Sequence, residues 1–334
     1  MCETCSKNEF ESARAALAAA RSLLVIAHCR PDGDTLGSML ALTSSARAAG
    51  KAAHMMVDDD VPAKYDFLFP DERPLRGGAL PDLAESVDRI VIVDTAALAQ
   101  LDSLAPVLAR HAGKIVVIDH HTPGERIAAV QWTDTSAAAA GVMVAQLLAA
   151  LGWPVGLVQA EALMAAVTSD TGWFRFANTN PPALRLAADW LAMGVRLEVL
   201  YARLFQTARP QQLALVARML GTLELFHHDR LAAMTLRQAD FAATGARADE
   251  TENLVNEALR IGSVEAVILL VENGGAQVRV NLRSREAVDV AAVARALGGG
   301  GHRRAAGLRS NEPLDALKAR LVAACQAALT EAGL

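Results

Sequence analysis

The chain has 334 residues, 52% of them hydrophobic and 21% charged, a balance that excludes a disordered or fibrous protein and predicts about two globular domains. Aromatic residues make up only 4%, so we expect an aliphatic core. The 32 Lys and Arg against 37 Asp and Glu give a net charge of −5, which argues against a protein that coats long nucleic acid through an overall positive field.

The N-terminal sequence Cys2-Glu-Thr-Cys5 has the spacing of half a zinc knuckle. No second Cys-x-x-Cys or His pair follows it, so we interpret it as a frayed terminus and assign it no role. The four cysteines are too few and too scattered for a disulfide framework, which fits a reducing compartment. Because the N-terminus also lacks the basic and apolar regions of a signal peptide, we expect a cytoplasmic protein.

Short apolar runs alternate with helical patterns through the first half of the chain. The runs are β-branched or leucine-rich and too short for helices, which is typical of buried parallel strands. Helical patterns lie between them at residues 35–49 and 98–109. The order predicts a doubly wound α/β domain with strands at residues 23–27, 53–57, 90–93 and 115–118.

A long uncharged stretch lies between Asp134 and Glu161. Its helical part, residues 137–151, is shorter than the ~20 residues that a membrane span requires, and it stops at the sequence Gly152-Trp153-Pro154. We therefore expect a helix that packs inside a soluble domain.

The pattern changes after Met193-Gly194. A helical stretch over residues 197–225, interrupted at Pro210, precedes strand-like runs at 231–236, 266–271 and 277–281. These features predict a catalytic domain at 1–195, a linker at 196–212 and a smaller mixed α/β domain at 213–334. Residues 276–310 hold seven arginines against one glutamate and one aspartate, a local charge of +5 that suits the second domain to an anion.

Acidic and imidazole side chains follow three of the predicted strands. Parallel strands end at one edge of a sheet, where open α/β folds bind ligands, so we expect these side chains to meet. A fourth apolar segment runs into an aspartate. Each position alone is explained by a turn or a helix cap, but a metal cluster explains all of them together. The residues are His28, Asp32, Asp34, Asp94, Asp119, His120, His121 and Asp170.

Carboxylates and histidines without cysteine suit a hard divalent ion, with Mn²⁺ or Mg²⁺ ahead of Zn²⁺. Six or more ligands exceed what one such ion usually takes from protein. Two ions about 3.5–4 Å apart are therefore expected, a pair that generates hydroxide and clamps a phosphate.

The motifs resemble those of the DHH phosphoesterase superfamily, and within it the nanoRNase and pAp-phosphatase group. "HCRPDGDTLGS", "VIVDTA", "VVIDHH" and "SDTGWFRFANT" match the four motifs of the DHH domain in order and spacing. "NLRS" and "GGGGHRRAAG" resemble the DHH-associated C-terminal domain. The resemblance covers nearly the whole chain.

The resemblance implies a role for each candidate residue. Asp94 would bridge an ion held by His28 and Asp32 and a second ion held by Asp34, His120 and Asp170. His121 would contact the scissile phosphate, while Asp119 would either orient the histidines or have a purely structural role. In the second domain a guanidinium and the backbone N–H groups of a glycine run would bind substrate. Those residues are Arg283, Gly299, Gly300, Gly301 and His302.

These observations predict a hydrolase with its active site in a cleft between the domains, which accommodates few nucleotides. The expected substrates are short single-stranded RNA or DNA, dinucleotides and 3'-phosphoadenosine 5'-phosphate. An inorganic pyrophosphatase and a nucleotide-sensing module without turnover are the alternatives, and a homodimer is left open.

Several other residues of the sequence have more than one interpretation. The aromatics Trp173, Phe174 and Phe176 are candidates for base stacking, although core packing is favoured for most of them. We interpret His227-His228 as a hairpin turn and residues 58–60 as a solvated loop. The alanines that follow Ser136, and Asn281 in place of a family serine, leave the substrate preference open.

Overall fold

The computed structural model describes residues 3–122, 124, 126–251, 253–274 and 277–334, with side chains from residue 7 onward. Cys2 and the side chain of Cys5, which the sequence analysis left without a role, lie outside the described residues. The chain divides into two compact units, the first ending at Thr207 and the second beginning at Ala208. Within the described ranges, each helix is too short or too polar to cross a membrane.

The first unit alternates strands and helices. In chain order its elements are α1 (Glu3–Ala19), β1 (Ser22–Ile26), α2 (Gly33–Ala48), β2 (Ala52–Val57), β3 (Leu75–Arg76), α3 (Leu80–Ser86), β4 (Arg89–Val93), α4 (Ala105–Arg110), β5 (Ile115–Asp119), β6 (Val130–Thr133), α5 (Ala140–Leu151), α6 (Leu157–Asp170), α7 (Pro181–Ala192) and α8 (Leu197–Phe205).

The six strands form one parallel sheet in the order β3-β2-β1-β4-β5-β6. Helices cover both faces, and successive residues of a strand enter different cores. In β4, Val91 and Val93 pack with α2, α5 and α6, whereas Ile90 and Ile92 pack with α3 and α4. The predicted doubly wound α/β domain is confirmed. Its strand order changes direction between β1 and β4, the position at which such sheets form a ligand crevice.

Two predicted helices of this unit differ from the structure. Residues 98–109 form short 3₁₀ turns at Leu98–Gln100 and Asp102–Leu104 before α4 begins, because Pro106 supplies no N–H group for a continuous helix. The helix predicted from residue 137 begins at Ala140. Ala139 is extended, with φ of −166°, at the end of the loop that follows β6.

The predicted linker at 196–212 is largely helical. It contains α8, whose Leu200 and Leu204 are buried in the core of the first unit. It also contains the start of α9 (Pro210–Gly221), which belongs to the second unit. The chain passes between the units at Thr207 and Ala208, inside the predicted range.

The other elements of the second unit are β7 (Glu224–Phe226), β8 (Leu231–Leu236), α10 (Gln238–Thr244), β9 (Ala266–Asn273), β10 (Gln277–Ser284), α11 (Val290–Ala296), β11 (Gly300–His302), β12 (Ala305–Ser310) and α12 (Leu314–Glu331). The helical stretch predicted to residue 225 ends earlier, because Glu224–Phe226 form β7 and pair with β8 across a hairpin. That hairpin turn contains His227 and His228, as predicted.

The second sheet has the order β11-β12-β10-β9-β8-β7 and is mixed, since β8 and β9 are parallel and the other pairs antiparallel. On one face, Val278, Val280 and Leu282 of β10 are buried against α11 and α12. On the other face, the β8 and β9 side chains are buried against α9 and residues 254–260. The predicted mixed α/β fold of the second unit is confirmed.

Candidate functional site

The loop after β1 brings His28 to the carboxyl edge of the first sheet. Two residues after His28, Arg30 has a left-handed conformation, with φ of 53°. The Arg30 N–H donates to Asp59 Oδ2 at 2.6 Å, and Asp59 follows the neighbouring strand β2. The carbonyl oxygen of Cys29 lies 2.8 Å from His28 Nδ1. These contacts fix the loop and aim Nε2 of the imidazole away from the backbone.

Asp32 and Asp34 lie at the start of α2. Asp32 is the N-cap, and its Oδ1 accepts from the N–H groups of Asp34 at 3.0 Å and Thr35 at 3.1 Å. Asp34 is fully buried, and its carboxylate accepts from the N–H groups of Ala140 at 2.6 Å and Gly141 at 2.9 Å. The positive end of α5 therefore stabilises a buried carboxylate.

Gly141 is required for this contact. A Cβ atom at this position would lie 2.7 Å from the Ala166 side chain of α6 and 3.4 Å from Asp34 Oδ1. Only a residue without a side chain lets α5 approach α6 and Asp34 this closely.

Asp94 follows β4, in the middle of the site. It is buried and left-handed, with φ of 67°, and its N–H donates to the Ile118 carbonyl at 2.8 Å. A non-glycine residue in this region is strained and persists where the surroundings fix it, as at functional sites. Asp94 Oδ2 lies 3.4 Å from His28 Nε2, and Oδ1 lies 3.3 Å from His120 Nε2. The carboxylate thus lies between two imidazoles.

Asp119, His120 and His121 end β5. Asp119 is buried, and its Oδ1 accepts from the His121 N–H at 3.1 Å and lies 2.8 Å from His121 Nδ1. The His121 side chain is 57% exposed. Asp119 therefore holds a partly exposed imidazole in one orientation, with Nε2 turned away from the carboxylate.

Asp170 is the last residue of α6. Its Oδ2 lies 3.7 Å from His120 Nε2 and accepts from Asn178 Nδ2 at 3.1 Å. The same amide group donates to the Ala138 carbonyl at 2.9 Å. Asn178 thus ties the Asp170 carboxylate to the segment that precedes α5.

The structure brings seven of the eight predicted residues into three overlapping groups. The eighth, Asp119, contacts one of the seven, His121. The ligand atoms within each group lie within 4.8 Å of one another. Asp94 is shared by two groups, and so is His120. The groups are His28, Asp32 and Asp94; Asp34, His120 and Asp170; and Asp94, His120 and His121.

The hydrogen bonds of the histidines indicate that this cluster suits a cation. A carbonyl oxygen only accepts, so Nδ1 carries the proton both in His28, beside Cys29, and in His120, where Nδ1 lies 3.3 Å from the Ala137 carbonyl. In the neutral imidazoles, Nε2 then presents a lone pair to the carboxylates. His120 Nε2 and Asp94 Oδ1 are buried without a hydrogen-bond partner in the described part of the chain. A cation between these atoms would satisfy them.

The crowding of buried carboxylates and imidazoles also shifts the pKa values of Asp34 and His120. Burial and the charge of Asp94 raise the pKa of Asp34 well above its ordinary value. Burial lowers the pKa of His120, but the carboxylates of Asp94 and Asp34 outweigh this effect and raise it to about 9. Carboxylate oxygens and imidazole nitrogens are the donors that Mn²⁺ or Mg²⁺ takes, so the residues fit a divalent ion.

Two positioning residues escaped the sequence analysis. Asp59 belongs to the segment interpreted as a solvated loop, yet it holds the His28 loop through Arg30. Its position two residues after β2, a strand of the same sheet, is the sequence signal for this role. Asn178 lies in the quoted motif "SDTGWFRFANT" but had no role until its contacts with Asp170 were known.

In the second unit, the register places Arg283 and His302 on one face of the sheet. Arg283 pairs with Ala305, and Ala305 pairs with His302. Paired residues on adjacent strands project to the same side, so the two side chains flank a small alanine. Arg283 is half-buried, and burial lowers the pKa of its guanidinium, whereas His302 is exposed.

The predicted glycine run becomes an edge of this sheet. Gly300 and Gly301 lie in β11, the terminal strand, and Gly299 directly precedes it. The Gly299 N–H donates to the Ala294 carbonyl at 2.7 Å, so within the glycine run Gly299 does not offer its N–H to a ligand. An edge strand has backbone groups on its outer side that are not used by the sheet. The residues predicted to bind substrate in the second unit thus share a face and an edge.

Comparison with known proteins matches both units. Residues 22–168 match the DHH family, N-terminal domain, and residues 229–331 match the DHHA1 domain. The chain is 33% identical over 315 residues to a bifunctional oligoribonuclease and PAP phosphatase NrnA from Thermus thermophilus, covering 93% of this chain and 91% of the relative. It is 26% identical over 313 residues to the Bacillus subtilis protein of the same name, covering 91% and 95%.

A solved structure shares the fold along nearly the whole chain. It is an exopolyphosphatase-related protein from Bacteroides fragilis, with a TM-score of 0.87 at 20% identity, covering 97% of this chain and 96% of that one. Together with the relative at 33% identity, the two domain matches identify the motifs found in the sequence. The chain therefore belongs to the DHH phosphoesterase superfamily, in the nanoRNase and pAp-phosphatase group.

Proposed function

We propose that this protein is a metal-dependent phosphohydrolase that cleaves short single-stranded oligonucleotides and dinucleotides, including the linear products of cyclic dinucleotides, and that it also acts on 3'-phosphoadenosine 5'-phosphate. The observation that carries the proposal is the sharing of Asp94 by two groups of metal-ligand type at the switch point of the sheet. The names of the two curated relatives, which align with both units, support the substrate class.

The proposed cofactor is a pair of divalent ions, with Mn²⁺ preferred and Mg²⁺ as the alternative. His28, Asp32 and Asp94 would hold one ion, and Asp34, Asp94, His120 and Asp170 the other. Asp94 lies in one ligand group with His28 and Asp32 and in another with His120, and His120 also lies in the group of Asp34 and Asp170. Donors linked in this way favour two ions over one. Imidazole in both groups favours Mn²⁺ over Mg²⁺, which takes mainly oxygen ligands.

When bound, such ions lower the pKa of a bound water and offset the negative charge that develops on phosphoryl oxygens. The protein's own contribution is positional. Asp34, held by the α5 amides, and Asp170, held by Asn178, keep their carboxylates in place before any ion arrives. This preorganisation reduces the rearrangement needed during the reaction.

His121 is the proposed catalytic residue for proton transfer. The hydrogen bond to Asp119 raises the pKa of His121 and assigns the Nδ1 proton to that contact. Nε2 of the partly exposed ring is then free to donate a hydrogen bond to a phosphoryl oxygen or a proton to the leaving oxygen. Asp119 acts as a positioning residue through this contact, as in other His–carboxylate pairs.

Arg283, His302 and the glycine edge of β11 are the proposed substrate-binding groups. A guanidinium binds phosphate through two parallel hydrogen bonds, and backbone N–H groups at an edge strand bind anions. The local charge of +5 over residues 276–310 favours an anionic ligand on this unit.

A substrate panel tests the proposal. The protein is incubated with Mn²⁺ and, separately, with RNA dinucleotides, 3'-phosphoadenosine 5'-phosphate and pyrophosphate, and the released nucleotide or phosphate is measured. Release from the dinucleotides and from 3'-phosphoadenosine 5'-phosphate is expected. Release from pyrophosphate alone would instead assign a pyrophosphatase, and binding without turnover would assign a nucleotide-sensing module.

A further inference from the structure

An unusual turn follows Asp170. Gly172, Trp173 and Phe174 are consecutive left-handed residues, with φ of 55°, 62° and 62°. This conformation costs an L-residue about 1–2 kcal/mol, so two such residues in a row need strong local support.

Hydrogen bonds to the end of α6 supply that support. The Trp173 N–H donates to the Thr168 carbonyl at 2.7 Å, and the Phe174 N–H donates to Thr171 Oγ1 at 3.1 Å. The Phe176 N–H donates to the Thr171 carbonyl at 3.0 Å. The turn is therefore closed onto the helix that carries Asp170.

The three aromatic side chains of the turn differ in burial. Trp173 and Phe174 pack against the core of the first unit, and Trp173 makes an edge-on contact with Tyr201 at a centroid distance of 5.1 Å. Phe176 remains 54% exposed. Core packing was the favoured expectation for most of these aromatics, and Phe176 is the exception.

The Phe176 ring lies directly on Gly172. A Cβ atom at Gly172 would lie 2.3 Å from the ring, so only glycine permits this contact. The backbone thus supports one side of the ring, while more than half of the side chain stays open to solvent. An aromatic ring held in this way loses little conformational entropy when a flat ligand covers it.

Both ends of this segment are tied to Asp170, one by the chain and the other by hydrogen bonds. Gly172 is two residues after it, and Asn178, two residues after Phe176, donates to both the carbonyl and the carboxylate of Asp170. The exposed ring therefore lies on a residue that is two positions from a proposed metal ligand. In a nucleotide, the base is one sugar away from the phosphate.

We propose that Phe176 is a specificity residue that stacks on a nucleobase of the substrate, so that the enzyme prefers phosphoesters that carry a base over those that do not. This inference rests on the proposed function. Stacking on an aromatic side chain tolerates every base, because each base has a π face, so we expect little discrimination among the four bases.

The kinetic test compares two substrates in two proteins. The substrates are an adenine dinucleotide and the same compound with one base removed, and the proteins are wild type and Phe176→Leu. Stacking on one aromatic residue is worth about 5- to 150-fold. We expect Phe176→Leu to lower kcat/KM for the adenine dinucleotide by that factor relative to its effect on the abasic compound, and Phe176→Trp to restore the preference.

If Phe176 has only a structural role, Phe176→Leu would lower kcat/KM equally for both substrates. That result would overturn the proposal. Leu184→Ala is the matched control, because Leu184 is 49% exposed in the same unit. It should leave the preference for the base unchanged.

An equilibrium measurement provides a second readout. Calorimetry with AMP and with ribose 5-phosphate, in the presence of Mn²⁺, should show weaker AMP binding in Phe176→Leu and a smaller change for ribose 5-phosphate. Equal binding of AMP by both proteins would overturn the stacking role even if dinucleotides are hydrolysed. Failure of the wild-type protein to hydrolyse any dinucleotide would instead overturn the proposed function.

Discussion

Asp94 and His120 face each other across 3.3 Å, carboxylate oxygen to imidazole nitrogen, although they follow different strands. Both atoms are buried, and a hydrogen-bonded Nδ1 directs the imidazole lone pair at the carboxylate. The arrangement is unfavourable unless a proton or a cation lies between the two groups. We therefore expect the proposed metal centre to depend strongly on this pair of residues.

Asp94→Ala should abolish turnover and reduce bound metal, because the proposed ions share this carboxylate. Mn²⁺ at about 100 times its Kd should stabilise the wild-type protein by about 2.7 kcal/mol and the variant far less. Elemental analysis, steady-state rates and thermal unfolding with and without Mn²⁺ measure these effects. Asp60→Ala is the control, since Asp60 is 92% exposed and pairs with Arg76. A near wild-type rate in Asp94→Ala would contradict the model.

Asn178→Ala should weaken metal binding or activity by about 10- to 100-fold, the usual effect of losing a partner of a metal ligand. The neighbouring Asn180 provides a contrast. It caps α7 by accepting from the Ala183 N–H at 3.1 Å, so Asn180→Ala should cost about 1 kcal/mol of folding free energy and leave metal affinity unchanged. Metal titrations and urea unfolding of both variants separate the two roles. A wild-type metal affinity together with a wild-type rate in Asn178→Ala would refute the positioning role of Asn178.

Arg283→Ala should lower kcat/KM by about 10- to 150-fold, equivalent to ~1.5–3 kcal/mol for a charge-assisted phosphate contact. Bound metal should not change, because Arg283 belongs to the second unit and to none of the metal-ligand groups. Arg260→Ala, at an exposed arginine of the same unit, is the control. Loss of Mn²⁺ from Arg283→Ala would rule out a role confined to substrate binding.

RNA length should strongly affect the rate. A net charge of −5 repels a long polyanion, while the local charge of residues 276–310 attracts a short one. We expect kcat/KM to fall steeply as single-stranded RNA grows from two nucleotides to beyond about five, near the ~4 or more nucleotides that one binding groove holds. A series of RNA lengths measures this dependence. A flat or rising profile toward 20-mers would indicate a processive nuclease.

Acid should destabilise the second unit through Glu250. Its buried carboxylate accepts from Arg209 Nε at 2.6 Å and from the Arg247 N–H at 2.7 Å. The bond from Arg209 lowers the Glu250 pKa from 4.5 to about 2. Glu250 therefore binds a proton more readily in the unfolded chain than in the folded one. Its contribution to the free energy of unfolding is complete above pH 4.5 and is lost as the pH falls toward 2.

Glu250→Gln should therefore flatten the dependence of the unfolding free energy on pH below 4.5, at an overall cost on the order of 1.5–3 kcal/mol. Urea unfolding between pH 3 and pH 6 measures both effects. Glu312→Gln, in an exposed ion pair with Arg320, is the control and should keep the wild-type slope. An unchanged slope in Glu250→Gln would refute the assignment.

Sequence patterns alone predict the strands of the first sheet and the acidic and imidazole residues that end them. Both features are local: a run such as residues 115–118 is apolar on both faces, and the residues that follow β5 lie at the sheet edge wherever the neighbouring strands pack. The helix predicted at 98–109 was wrong for an equally local reason, the missing N–H group of Pro106.

Contacts between distant parts of the chain hold these residues in place. The amides that bind Asp34 are more than 100 residues away in the chain, at Ala140 and Gly141. The pairing that puts Arg283 and His302 on one face depends on β12 lying between their strands. Periodicity and spacing record which residues share a helix or strand, whereas contacts between distant elements depend on how those elements pack, which is why Asn178 and Asp59 had no visible role before their partners were known.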